Sequence, residues 1–140
     1  MGATHGPIDP NSLPTHSFDW GAIKWYVTPS ATPGAVLTFG EVVVLPGQGH
    51  GRHNHPDAEE ILYFLSGAGE QMIADGTPFA VQAGDVVHIP AGVYHSTMNV
   101  GWEPMRVLAL YNPGGSEEGL KELPDFQELA PGATPSWTRG

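Results

Sequence analysis

The stretch GQGHGRHNHPDAEEILYFLSG, residues 47–67, decides how this chain is read. His50, His53 and His55 stand in a glycine-rich segment, and two adjacent carboxylates, Glu59 and Glu60, open the apolar run that follows. His53 and His55 are two apart, a spacing that on a strand turns both imidazoles to one face. A second stretch, GDVVHIPAGVYHSTMN at residues 84–99, carries His88 and His95. Imidazole and carboxylate groups converging on one point make a divalent metal site. If the strands close into a barrel, inward-pointing residues share one interior, and distant ligands can meet there.

The segments on either side read as strands. Runs rich in β-branched and aromatic residues fall at 22–28, 36–45, 60–65, 70–74, 79–82, 86–89, 94–100 and 105–111. Turn residues separate them every 8–12 positions, among them the hairpin signal Asp75-Gly76, so about eight strands of a sandwich or barrel are predicted. Gly40 inside the second run marks a bend or bulge, and residues 46–52 read as a glycine-rich loop. Residues 1–19 read as an irregular arm. Residues 117–123 read as one or two helical turns, and 124–140 as a surface tail. No internal repeat and no second domain are visible.

The composition narrows the function. At 140 residues the chain has the length of one domain, enough to bury a sizeable core. It has no cysteine, which removes disulfides, thiolate metal sites and cysteine nucleophiles and fits a cytoplasmic location. Five Lys+Arg stand against 15 Asp+Glu, a net charge of −10 that argues against nucleic-acid and anionic-membrane partners. No apolar run approaches the roughly 20 residues of a membrane span, and the N-terminus does not read as a signal peptide. Gly and Pro number 19 and 14, but a 40% hydrophobic fraction in short β-rich runs indicates a folded all-β domain with many turns rather than disorder.

Gly47, His53, His55, Glu60 and Gly67 stand at G-x5-H-x-H-x4-E-x6-G. Gly84, Pro90, Gly92, His95 and Asn99 stand at G-x5-P-x-G-x2-H-x3-N, with sixteen residues between Gly67 and Gly84. Together the two patterns resemble the paired signatures of the cupin family. Ten matches, each at a usage of about one in twenty, leave chance no role. The resemblance implies an all-β single jelly-roll barrel over residues 20–115, with the N-terminal arm 1–19 and the C-terminal tail 116–140 outside it. It also implies one divalent metal ion per chain, zinc foremost with Fe, Mn, Ni or Cu as alternatives, held by His53, His55, Glu60 and His95. The count to Gly67 selects Glu60 over Glu59, and alternation then turns Glu59 to the other face.

His88 stands where the family usually carries an apolar residue. It is either an outer-face histidine or, facing inward, a further polar group at the site that could replace the glutamate. Glu59 and His88, if inward, are the candidate catalytic proton carriers. His50 reads as a rim residue, and His5 and His16 as solvated. The carboxylates Glu117, Glu118, Glu122, Asp125 and Glu128 read as a solvated face. Trp102 reads as a residue of the barrel mouth or of a dimer contact, and the other aromatics as core or pocket wall.

The region from His53 to Met72, with the upstream WGAIKW, is also similar to small cupins that act as cyclases on bacterial aromatic polyketides. That resemblance implies Lewis-acid, aldol-type cyclisation of a small organic substrate in antibiotic biosynthesis. A quercetinase-like dioxygenase and a non-catalytic small-molecule-binding cupin are the alternatives. A sugar-phosphate isomerase fits poorly, because Arg52 and Arg106 are the only arginines within the barrel region. Small cupins commonly pair, so a homodimer is the expectation.

Overall fold

Short apolar runs become strands and the glycine-containing links between them become turns in a computed structural model that describes residues 5–138. The strands are β1 (Thr15–Phe18), β2 (Gly21–Val27), β3 (Thr38–Val44), β4 (Gly49–His53), β5 (Glu59–Ser66) and β6 (Ala68–Ile73). They continue as β7 (Phe79–Gln82), β8 (Val86–Ile89), β9 (His95–Asn99), β10 (Met105–Asn112) and β11 (Gln127–Leu129). They form two antiparallel sheets, in the orders β11-β1-β2-β3-β10-β5-β8 and β4-β9-β6-β7. The protein is all-β, as predicted, and the two sheets make the jelly roll.

Alternation along the strands builds the core. In β5, Glu60, Leu62 and Phe64 are buried while Ile61 and Tyr63 are exposed; in β10, Met105, Val107, Ala109 and Tyr111 are buried. Phe64, Ile89 and Met105 are almost wholly withdrawn from water, each contributing about 1.5–3 kcal/mol by burial. Gly67 links β5 to β6 at φ +91°, and a Cβ there would lie 2.9 Å from the Met105 Cα. Only glycine meets both demands.

Three strands escape the sequence reading. The glycine-rich segment expected as a loop contains β4, whose pairing with β9 makes up for its poor propensity. The arm contains β1 and the tail contains β11, which pair with each other at the sheet edge. The irregularity expected at Gly40 falls on the partner strand, where the β2–β3 register shifts between Trp25 and Val27.

The helical turns expected over 117–123 form but pack against the barrel, and the surface tail expected over 124–140 contains the paired strand β11. A 3-10 helix, Ser116–Glu122, follows β10 and buries Leu120 in the core to 6% exposure. Thr15–Phe18 of the arm and Ser116–Glu122 and Gln127–Leu129 of the tail are therefore parts of the packed unit. No helix among the described residues is long and apolar enough to cross a membrane.

Candidate metal centre and cleft

Four side chains from three regions converge at one end of the barrel. His53 ends β4, and β4 pairs with β9 so that His53 lies opposite His95, the first residue of β9. Glu60 is the second residue of β5 and faces inward because alternation buries it. His55 lies beyond the end of β4, so a shared strand face does not bring it to His53, contrary to the spacing argument. A turn does so instead: the His55 carbonyl accepts the N–H of Ala58 at 3.3 Å and of Gly92 at 2.9 Å.

The ligand atoms of His53, His55, Glu60 and His95 all lie within 4.8 Å of one another. His95 Nε2 lies 2.9 Å and His55 Nε2 3.5 Å from Glu60 Oε1, yet these buried atoms make no aligned hydrogen bond. Buried donors and acceptors rarely stay unsatisfied without a missing partner. Two rings are also set for ligation from behind. Carbonyl acceptors face His53 Nδ1 (Gly51 O, 2.6 Å) and His95 Nδ1 (Val93 O, 3.0 Å), placing the ring proton there and leaving Nε2 a lone pair. The cluster can hold one metal ion, and a three-imidazole, one-carboxylate set suits a divalent one.

Electrostatics favour the ligating forms of His53 and Glu60. Burial brings the His53 imidazole down to about 3 and the His50 imidazole to about 4, so both are neutral at pH 7. Burial opposes charge on Glu60, but contact with His55 and His95 outweighs it and holds the carboxyl at about 2. Burial likewise opposes charge on His95, and Glu60 raises it above the usual histidine range.

A column of rings backs the cluster. Phe18 stacks on Trp20 at 5.0 Å, Trp20 on His50 at 5.4 Å and His50 on His53 at 3.7 Å. Tyr111 packs its ring 4.6 Å from that of His55, and burial raises its hydroxyl well above the ordinary phenol range. Thr97 donates to the buried Gln71 amide oxygen at 2.5 Å on the inner face. The inward alternation of β10 carried a signal for Tyr111. Trp20 opens the WGAIKW segment, but no sequence feature assigned it a place at the site.

Two spaces meet at the cluster. An outer cleft of about 490 Å³ is lined by His50, His53 and His55, by Asn54 and Asp57, and by residues of the tail including Leu120 and Leu123. An inner chamber of about 40 Å³ is bounded by Glu60, His95, Thr97, Tyr111, Trp20 and apolar residues. Neither lining contains a lysine or an arginine among the described residues.

Several expectations are corrected here. Glu59 and His88, candidate proton carriers only if inward, do not face inward: alternation turns Glu59 out as expected, and His88 takes its outer-face reading. They lie on the outer face of the larger sheet, where His88 Nε2 meets Glu59 Oε1 at 2.9 Å and Asn112 donates to Glu59 Oε2 at 3.1 Å. Alternation is the cause: Glu60 and Ile89, their inward neighbours, pair across β5 and β8. His16 is buried rather than solvated, edge-on to Phe126 and 3.4 Å from Glu128.

Glu117 belongs to no solvated face, being 2% exposed and accepting from the Thr38 hydroxyl at 2.6 Å and the Gly115 N–H at 2.9 Å. Trp102 is 87% exposed in the β9–β10 turn, at the barrel end away from the cluster and so not at its mouth. His50, expected at the rim, lines both cleft and chamber.

This architecture and this donor set define a class, and the comparisons agree with it. Residues 40–111 match the model of the cupin domain. The chain belongs to the cupin family. It is 32% identical over 105 residues to an uncharacterised protein of Methanocaldococcus jannaschii, covering 75% of this chain and 83% of that protein. It is 34% identical over 104 residues to protein SchB of Streptomyces halstedii, covering 74% of each. Among solved structures, the oxalate decarboxylase of Lactobacillus farciminis, in complex with formate, superposes with a TM-score of 0.68 at 28% identity. That match covers 75% of this chain but 32% of the decarboxylase, so the chain spans about a third of that enzyme. Its cupin relatives thus include enzymes.

Proposed function

We propose that this protein is a metal-dependent enzyme that cyclises a small, neutral, keto- or hydroxy-substituted aromatic or polyketide-type molecule by aldol-type condensation. The observation that carries this reading is the unsatisfied three-histidine, one-glutamate cluster at the floor of a cleft with no cationic lining. A divalent ion bound by His53, His55, Glu60 and His95, zinc in this proposal, supplies a Lewis acid that polarises a carbonyl.

The chain's own residues do the rest. The cleft volume lies in the range of sites for drug-sized molecules, about 300–1,000 Å³. Pro56, Ala58, Leu120 and Leu123 offer apolar contact, and Asn54 and Ser116 offer polar contact. His50, which lines both spaces, is the imidazole placed to take the proton that leaves the carbon next to the carbonyl. It replaces Glu59 and His88 in that role, since both lie on the outer face. A dianion such as oxalate finds no lysine or arginine in either lining, which supports a neutral substrate despite the likeness to oxalate decarboxylase.

The test joins metal content to product. Elemental analysis of the purified protein should return close to one zinc per chain, and incubation with a nascent aromatic poly-β-ketone should change its ring pattern. Identical product profiles with and without the metal-loaded protein would sink the cyclase reading. Stoichiometric Fe, Mn, Ni or Cu with oxygen uptake would favour dioxygenation instead.

A further inference from the structure

The helical turns expected over 117–123 send one side chain to the border between cleft and chamber. His50, His53 and Leu120 are shared by the two linings. His53 belongs to the ligand cluster, so His50 and Leu120 set the opening. His50 is held from one side by its stack between Trp20 and His53. Leu120 comes from the other side, and the segment carrying it is tied down at both ends.

Before Leu120, Gly114 N–H donates to Val36 O at 2.9 Å, and Gly115 N–H and the Thr38 hydroxyl both reach Glu117 Oε1. After it, Asp19 N–H donates to Asp125 Oδ2 at 2.9 Å, Phe126 packs on Phe18 and His16, and β11 pairs with β1. With both sides anchored, the width of the opening is built into the fold. The chamber, at about 40 Å³, is an order of magnitude smaller than the cleft, at about 490 Å³.

We propose that Leu120 is a specificity-determining gate: it keeps the bulk of a substrate in the outer cleft and lets only a narrow edge bearing oxygen donors reach the cluster. The proposal rests on the metal-enzyme reading above and names the substrate feature that this site selects, the width of the groups flanking its oxygens.

Two β-diketones with the same oxygen pair and different width test it. Zinc-loaded protein is titrated calorimetrically with pentane-2,4-dione and with 1,3-diphenylpropane-1,3-dione, and zinc content is measured again after each titration so that extraction is not mistaken for binding. Wild type should bind the narrow ligand about tenfold more tightly than the wide one, the scale on which an apolar wall discriminates small differences in size. Leu120→Ala should bring the ratio below about threefold by gaining affinity for the wide ligand, and Leu120→Phe should weaken both.

An unchanged ratio in folded Leu120→Ala overturns the gate and leaves the metal-enzyme reading standing. Failure of zinc-loaded wild type to bind either diketone overturns that reading and the gate with it. If Leu120→Ala shows no cooperative unfolding transition, Leu120→Val carries the same test with an expected shift of about threefold, and an unchanged ratio there is equally fatal.

Discussion

Glu59 and Glu60 are neighbours in the chain and stand on opposite sides of one sheet. The Glu60 carboxylate is buried 2.9 Å from His95 Nε2, whereas that of Glu59 lies outside, bonded to His88 and Asn112. One peptide step separates a carboxylate of the candidate metal cluster from a surface hydrogen bond, because the side-chain period of a strand is two.

That relationship gives the first prediction. Glu60→Gln or His95→Ala should lower metal affinity by more than tenfold, since ligand loss costs at least what loss of a supporting group does, about 10–100-fold. Glu59→Gln and His88→Ala should leave it within about twofold, because an exposed pair of this kind contributes little. Chelator competition followed by elemental analysis measures both. Equal losses in the two sets would return Glu59 and His88 to the site.

The buried carboxylate of Glu117 gives the second. It accepts from Thr38 and Gly115, and both bonds hold the tail against the barrel. Glu117→Ala should cost about 2–3 kcal/mol in urea denaturation, the range for buried hydrogen bonds to a charged group, and Thr38→Val about 1–2 kcal/mol. The double variant should cost less than the sum, because the two groups share one bond.

Acid should loosen the same strap from its far end. Burial lowers the pKa of His16 below 6.5, and Glu128 only partly opposes this. A depressed pKa means that the folded state disfavours the protonated ring and the unfolded chain binds more protons. The contribution is therefore present above about pH 6.5 and is lost as pH falls through the folded value. Chemical denaturation at pH 7.5 and 5.5 should show this loss, and His16→Phe, which keeps a ring against Phe126, should reduce it. Amide exchange at residues 127–129 should quicken over the same interval.

Two motif glycines separate backbone strain from steric clash. Gly67 and Gly84 both have positive φ, but a Cβ meets the Met105 Cα at 2.9 Å at the first and open space at the second. Gly84→Ala should cost about 1 kcal/mol, or about 2–4 °C in Tm, and Gly67→Ala at least twice that. Equal shifts would mean that β10 yields to the added methyl group.

Much of this architecture was legible in the chain because it depends on local order. Alternation in 60–65 and 105–111 and the ten spaced positions of the two motifs specified an all-β barrel. The same positions named His53, His55, Glu60 and His95, the four that the fold then brings within 4.8 Å. Side-chain period and turn chemistry are properties of a few consecutive residues, so they survive without any knowledge of the partner strand.

What the chain did not disclose depends on pairing across long separations. Thr15–Phe18 and Gln127–Leu129 are strands because each completes the other, over a hundred residues apart. Gly49–His53 is one because β9 lies beside it. The burial of Glu117, His16 and Leu120, and with it the wall and doorway of the cleft, arises because the tail folds back over the barrel mouth. A carboxylate or a leucine in a polar tail carries no local mark of what will cover it, and only the tertiary structure supplies the cover.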